Sequence, residues 1–248
     1  MMQFLINHQL NIMMMLSGIC GALTILVLVS RGLTKQRRRS LALMEISGMF
    51  LITFDRLTYI YSGDISPVGY VMVRVSNFIV FLLTSEVVFA FNMYLTDLLS
   101  DWGGMKRLPK RLKVVNIMAL AGMLLIVISR FTGIIYTFDE SNHYERAPLF
   151  FLCYILPVLG SMIQLSVILQ YRKKFSRNIY WSLILYIVVP VIASLIQFVV
   201  YGISITNMAI VIVSLFLYVF AYFDINESLR QSHEKELSGL KEEQYSIL

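Results

Sequence analysis

Runs of about twenty apolar residues recur along the chain at 10–30, 41–61, 68–98, 114–136, 149–171, 179–201 and 205–224, separated by short polar connections. At 1.5 Å of rise per residue, such a run matches the ~30 Å hydrocarbon thickness of a bilayer. The pattern therefore predicts seven transmembrane helices. Past residue 224 it changes: Ile225, Leu229, His233, Leu237, Leu240, Gln244 and Ile247 recur at intervals of three and four, biased to four. Arg230, Glu234, Lys235, Glu236, Lys241, Glu242 and Glu243 fill the flanks, and residues 221–245 hold no proline and one glycine, Gly239. That spacing predicts a helical, coiled-coil extension with a stutter. The expected organisation is an all-α polytopic membrane domain over 1–224 and a signalling-helix linker over 225–248.

Composition narrows the class. Hydrophobic residues make up 58% of the 248 residues and charged residues 15%, with a mean hydropathy of +0.72, against about 25% charged in soluble domains. A soluble fold has nowhere to hide that much apolar surface. A soluble enzyme, a disordered chain and a secreted disulfide scaffold are excluded. Cys20 and Cys153 fall inside apolar runs and read as packing residues, and His8, His143 and His233 are not adjacent to either. Neither a metal site nor a cofactor is expected from that spacing.

The net charge of +6 is explained by its placement. Arg31, Lys35, Arg37, Arg38 and Arg39 follow the first run; Lys106, Arg107, Lys110, Arg111 and Lys113 follow the third; Arg172, Lys173, Lys174 and Arg177 follow the fifth. The alternate connections carry only Arg146, outnumbered by Asp139, Glu140 and Glu145. By the positive-inside rule this places the N-terminus outside and the C-terminus in the cytoplasm, with an odd number of spans. The basic excess orients the protein and touches anionic lipid rather than nucleic acid. The first run lacks a basic segment before it, so it reads as a retained helix rather than a cleaved signal. The expected location is the bacterial cytoplasmic membrane.

Candidate function lies with the ionisable residues that lipid should exclude, each costing about 2.5–3.5 kcal/mol at mid-bilayer. These are Glu45, Asp55 and Arg56 on span two, Arg74 and Glu86 on span three, and Arg130 on span four. Chain direction puts Asp55, Arg56, Arg74 and Arg130 within an outer layer about 10 Å thick, with an excess of positive charge. Two readings follow. The arginines snorkel or pair internally with Asp55, or an outward cavity between spans two, three and four presents Arg56, Arg74 and Arg130 to an anionic group. Asn77, with Ser85 and Asn92 further along, makes a polar stripe facing the interior, and Tyr59 and Tyr136 are placed at the mouth. Glu45 and Glu86 form an inner polar layer. Pro157 and Pro190 kink spans five and six. Tyr61, Tyr171, Tyr180, Trp181 and Tyr201 fit interfacial belts.

A multi-span module with short loops and a charged helix at 225–248 resembles the membrane sensor regions of bacterial signal transducers, those preceding histidine-kinase or diguanylate cyclase output domains. Ser232-His233-Glu234 is similar to the start of a histidine-kinase phosphoacceptor box, but Lys235-Glu236-Leu237 departs from its continuation. What the resemblance implies is a two-component or cyclase-associated sensor acting as a homodimer through its C-terminal helix, with an output domain fused or associated past Leu248. Such a sensor binds a small ligand, anionic or lipid-borne, and shifts span seven. The alternative is a small transporter or channel using the intramembrane charges as a substrate path. No nucleotide-binding loop, cyclase signature or nucleophile–base pair occurs, so these residues are not expected to be an enzyme.

Overall fold

The computed structural model describes residues 2–30, 32–101, 104–105, 107–200 and 202–246. Arg31, Lys106, Tyr201, Ile247 and Leu248 lie outside the described residues, as do the side chains of Lys235 and of residues 239–246. The described residues form seven α-helices: α1 (Met2–Val29), α2 (Lys35–Ile60), α3 (Pro67–Asp101), α4 (Lys110–Thr132), α5 (Leu152–Gln170), α6 (Arg177–Val199) and α7 (Ile205–Ser246). Six of them, all but α2, are long and apolar enough to cross a membrane, which marks an integral membrane protein. Of the seven spans expected above, six meet that measure of length and composition, and α2 does not. Helix α2 carries Lys35, Arg37, Arg38, Arg39, Glu45, Asp55 and Arg56 in its 26 residues.

Local chemistry sets the ends. Thr34 caps α2, its hydroxyl accepting from the Arg37 amide, and Ser176 caps α6 by accepting from Ile179. Gly133 ends α4 in the left-handed region, at φ 66, where its amide reaches the Ser129 carbonyl. Helix α7 has no such stop and runs unbroken for 42 residues across position 224.

The 137–148 connection is not a plain loop. Tyr136–Phe138 (β1) and Tyr144–Arg146 (β2) pair antiparallel, with Phe138 opposite Tyr144. Aromatic residues favour the strands, and Asp139 favours the turn by accepting from the His143 amide at 2.6 Å. Asn142 adopts φ 62 there, a conformation Asn tolerates better than most residues.

Consecutive helices pack side by side, α7 returns against α2 and α1, and α3 also meets α5. The helices α2, α3, α5, α6 and α7 therefore enclose an interior, with α1 outside α2 and α4 outside α3 and α5. The connections α2–α3, β1–β2 and α6–α7 gather at one end, the hairpin end. The basic connections α1–α2, α3–α4 and α5–α6 mark the other. At the basic end Leu95, Leu98, Leu99, Ile168, Leu183 and Leu217 are fully buried in one apolar core.

Candidate functional site

At the hairpin end the five-helix ring does not fill. A cavity of about 750 Å³ lies among α2, α3, α5, α6, α7 and the hairpin. Along α6 it reaches from Val200 to Tyr186, a depth of about 20 Å at helical rise. Its deep end is closed by the rings of Phe91 and Tyr186, stacked at 4.2 Å. Pro157 and Pro190 both line it; each leaves a carbonyl one turn earlier without its helical partner.

Polar groups are spread around the wall. Asp55, only 6% exposed, uses one carboxylate oxygen to accept from the Ser204 hydroxyl and from the Asn207 amide, the latter at 2.9 Å. A buried carboxylate needs such donors to offset lost hydration. They come from the start of α7, so this pair of contacts fixes α7 against α2. Across the wall, Gln197 accepts from the Thr206 backbone at 2.7 Å, leaving the buried Thr206 hydroxyl without a partner. Gln164 donates to Val88 at 3.0 Å and to Asn92 at 3.3 Å, and Asn92 donates to Asn116 at 2.7 Å. That amide chain joins α3, α4 and α5 beside the cavity floor.

The hairpin covers the mouth, with His143, Tyr144, Glu145 and Arg146 lining it. It is latched through Asn142, which donates to the Asp64 carbonyl at 2.7 Å, accepts from Arg74, and accepts at its own carbonyl from Gly63 at 3.3 Å. Gly63 sits at φ +79, a left-handed conformation that favours glycine. Beneath the hairpin, Tyr136 stacks on Phe81 at 5.0 Å. Burial pushes the Tyr136 phenol up to about 12, against the lowering pull of Arg130. Burial raises Tyr144 as well.

Of the residues singled out in the sequence, Asp55, Tyr59 and Asn77 line the cavity. The three arginines do not converge. Arg56 turns to α1 and donates to the Leu10 carbonyl at 3.0 Å. Arg74 lies over the rings of Tyr70 and Phe138, at 3.5 and 4.6 Å, while holding Asn142. Arg130 is exposed near Tyr136 at the end of α4. The cavity lies between α2, α3, α5, α6 and α7, not between spans two, three and four. The physical reason is rotation about α2 and α3. Asp55 and Arg56 are adjacent, so their side chains leave the helix about 100° apart, and α1 takes one while α7 takes the other. Asn77, Ser85 and Asn92 are all buried. In the inner layer, Glu45 accepts from Ser214 of α7 at 2.7 Å, and Glu86 meets Ser47 of α2.

Reasoning from charges alone missed Gln164, Gln197, Ser204, Thr206 and Asn207. Their signal was present: an amide inside an apolar run must find an internal partner, just as a charge must. Comparison with protein-family models, with curated proteins and with solved structures finds no match for this chain.

Proposed function

We propose that the chain is a membrane sensor module that binds a small or lipid-borne ligand in the hairpin-end cavity and passes its occupancy to the cytoplasmic side through α7. One observation carries this reading. Helix α7 holds Thr206, Asn207 and Ile210 on the cavity wall and continues without a break into the charged tail. A rigid helix joining a ligand cavity to an exposed end transmits any shift that the ligand favours between two arrangements. The proline-interrupted α5 and α6 are the wall elements that yield.

In this reading α2 is the seventh span, with the N-terminus outside and the C-terminus inside a bacterial cytoplasmic membrane. Supporting it, Lys35, Arg38 and Arg39 fall at the basic end of α2, and its other charges are engaged by protein. Arg37 and Glu45 are buried, Asp55 is held by α7, and Arg56 reaches α1. A helix whose polar groups face protein crosses a bilayer despite its composition. Ile225 packs beside Gly32, whereas the Leu237 side chain and His233 are exposed on the tail. That open stripe is the proposed homodimer contact and the route to a cytoplasmic output domain.

Spin labels at Leu237→Cys test this in the full chain, with Cys20 and Cys153 replaced by Ala and the protein in lipid nanodiscs. Ser161→Trp, which places an indole in the cavity, should change the distribution of distances between tails of paired copies. Identical distributions, or no pairing at all, would overturn the sensor reading. Solute flux through liposomes carrying the full chain would favour a transporter instead.

A further inference from the structure

The charged groups lining the cavity differ from the set the sequence singles out: Asp55 within it, and His143, Glu145 and Arg146 at its mouth. Arg56, Arg74 and Arg130 point elsewhere, and at the mouth His143 pairs with Asp139 at 3.4 Å. Arg146 lies over the Phe150 ring at 4.6 Å, on the hairpin. Below the hairpin, the only formally charged residue lining the cavity among the described residues is Asp55. Ser204 and Asn207 both occupy one of its oxygens. The second oxygen of a carboxylate keeps lone pairs for another donor.

Aromatic rings surround that corner. Tyr59 and Tyr154 lie within electrostatic reach of Asp55, and Phe81, Tyr144 and Phe150 line the same mouth. Ring faces carry negative potential and attract alkylammonium groups, by about 0.5–2 kcal/mol each depending on desolvation. One carboxylate among ring faces, above an apolar interior of Val80, Val87, Val191 and Ile210, complements an amphiphile with a cationic head. An anionic head would meet Asp55, while at the mouth the Arg146 cation, lying over Phe150, is offset by Glu145 on the same strand.

Resting on the reading of this cavity as the ligand site, we infer that it takes an alkylamine or alkylammonium compound. The head lies against Asp55, Tyr59 and Tyr154, and the chain runs toward the Phe91–Tyr186 floor. A cavity of about 750 Å³ is within the ordinary range for small-molecule sites, about 300–1,000 Å³.

The experiment uses four probes with one tail: octyltrimethylammonium, octylamine, octanol and octyl sulfate. Each is added to the full chain in nanodiscs, with empty nanodiscs as the partition control, and binding is read by titration and by the shift in Tm. The two cationic probes should bind at least tenfold more tightly than octanol, with octyl sulfate weakest. Asp55→Asn, which keeps acceptor and partners for Ser204 and Asn207, should remove that preference, so that the cationic probes bind no more tightly than octanol. Equal or tighter binding of octyl sulfate would overturn the inference, as would no binding of either cation or an unchanged preference in Asp55→Asn. The series on the wild-type chain decides even if the variant does not fold. Ser161→Trp separates the two claims. If it blocks every probe but none prefers the cationic head, the cavity stands as a ligand site and the charge selection falls. If cations bind yet the tails do not respond, the selection stands and the sensor reading falls.

Discussion

The two halves of the bundle are made from the same helices and packed to opposite outcomes. At the basic end, α3, α5, α6 and α7 turn Leu95, Leu98, Leu99, Val167, Ile168, Leu183 and Leu217 inward, all fully buried. At the hairpin end the same helices turn inward Val80, Thr84 and Val87, then Ser161, Ser194 and Asn207. All of these but Asn207 have one or two fewer side-chain heavy atoms than leucine. Protein interiors otherwise pack at a density of about 0.74–0.76, so a hollow of this size is written into side-chain volume. The cavity is encoded as much by the bulk omitted around the ring as by the polar groups retained in it.

The strongest way to break that contrast is a pair of truncations on α3. Leu98→Ala, in the filled half, should cost about 2–5 kcal/mol of unfolding free energy, because it opens a void that its neighbours cannot close. Val87→Ala, on the cavity wall, should cost under about 1.5 kcal/mol, since one side of that residue already faces open space. Denaturant titration of both variants in the same micelle gives the comparison, and equal losses would mean the hollow half is as tightly packed as the other. A smaller effect belongs to the latch. Asn142→Gly, which keeps the left-handed backbone, removes the side-chain contacts to Asp64 and Arg74 and should cost about 1–2 kcal/mol. The loss should stay local: hydrogen exchange speeds up over 136–146 while the helices keep their protection. Faster exchange throughout α2 and α3 would show the hairpin to be part of the bundle's core. The smallest effect is expected at Arg130, exposed at the end of α4. Arg130→Ala should leave the unfolding free energy within about 0.5 kcal/mol of wild type. A larger loss would mean that its position near Tyr136 matters to the fold.

Much of the fold was legible because lipid imposes a coarse rule, and apolar runs bounded by charge fall where the helices lie. Helix α2 shows the limit of that rule. Its composition fails a hydropathy test because its polar groups are satisfied by α1, α3 and α7, which a one-dimensional pattern does not show. The hairpin was hidden for another reason, since three-residue strands leave too little alternation to read. At the site, Asp55, Tyr59 and Asn77 were found from their chemistry. Their neighbours were misjudged because depth follows from position along a helix, while facing depends on which helix lies alongside. Arg56 and Asp55 share a depth and not a direction.

The stacked Phe91 and Tyr186 rings have an electrical consequence. A cavity of this volume lined by hydroxyls and amides admits water, and water carries the potential of the hairpin side inward as far as those rings. With the two ends on opposite faces of a bilayer, the transmembrane voltage, about 2.3 kcal/mol per elementary charge per 100 mV, falls mainly across the leucine-packed half. Asp55 then sits on the level part of that profile. Glu45, held by Ser214 one turn beyond Ile210 on the cavity wall, sits where the field begins to steepen. The aromatic floor is in this sense a dielectric boundary, dividing the charge that faces the cavity from charges that feel the membrane potential.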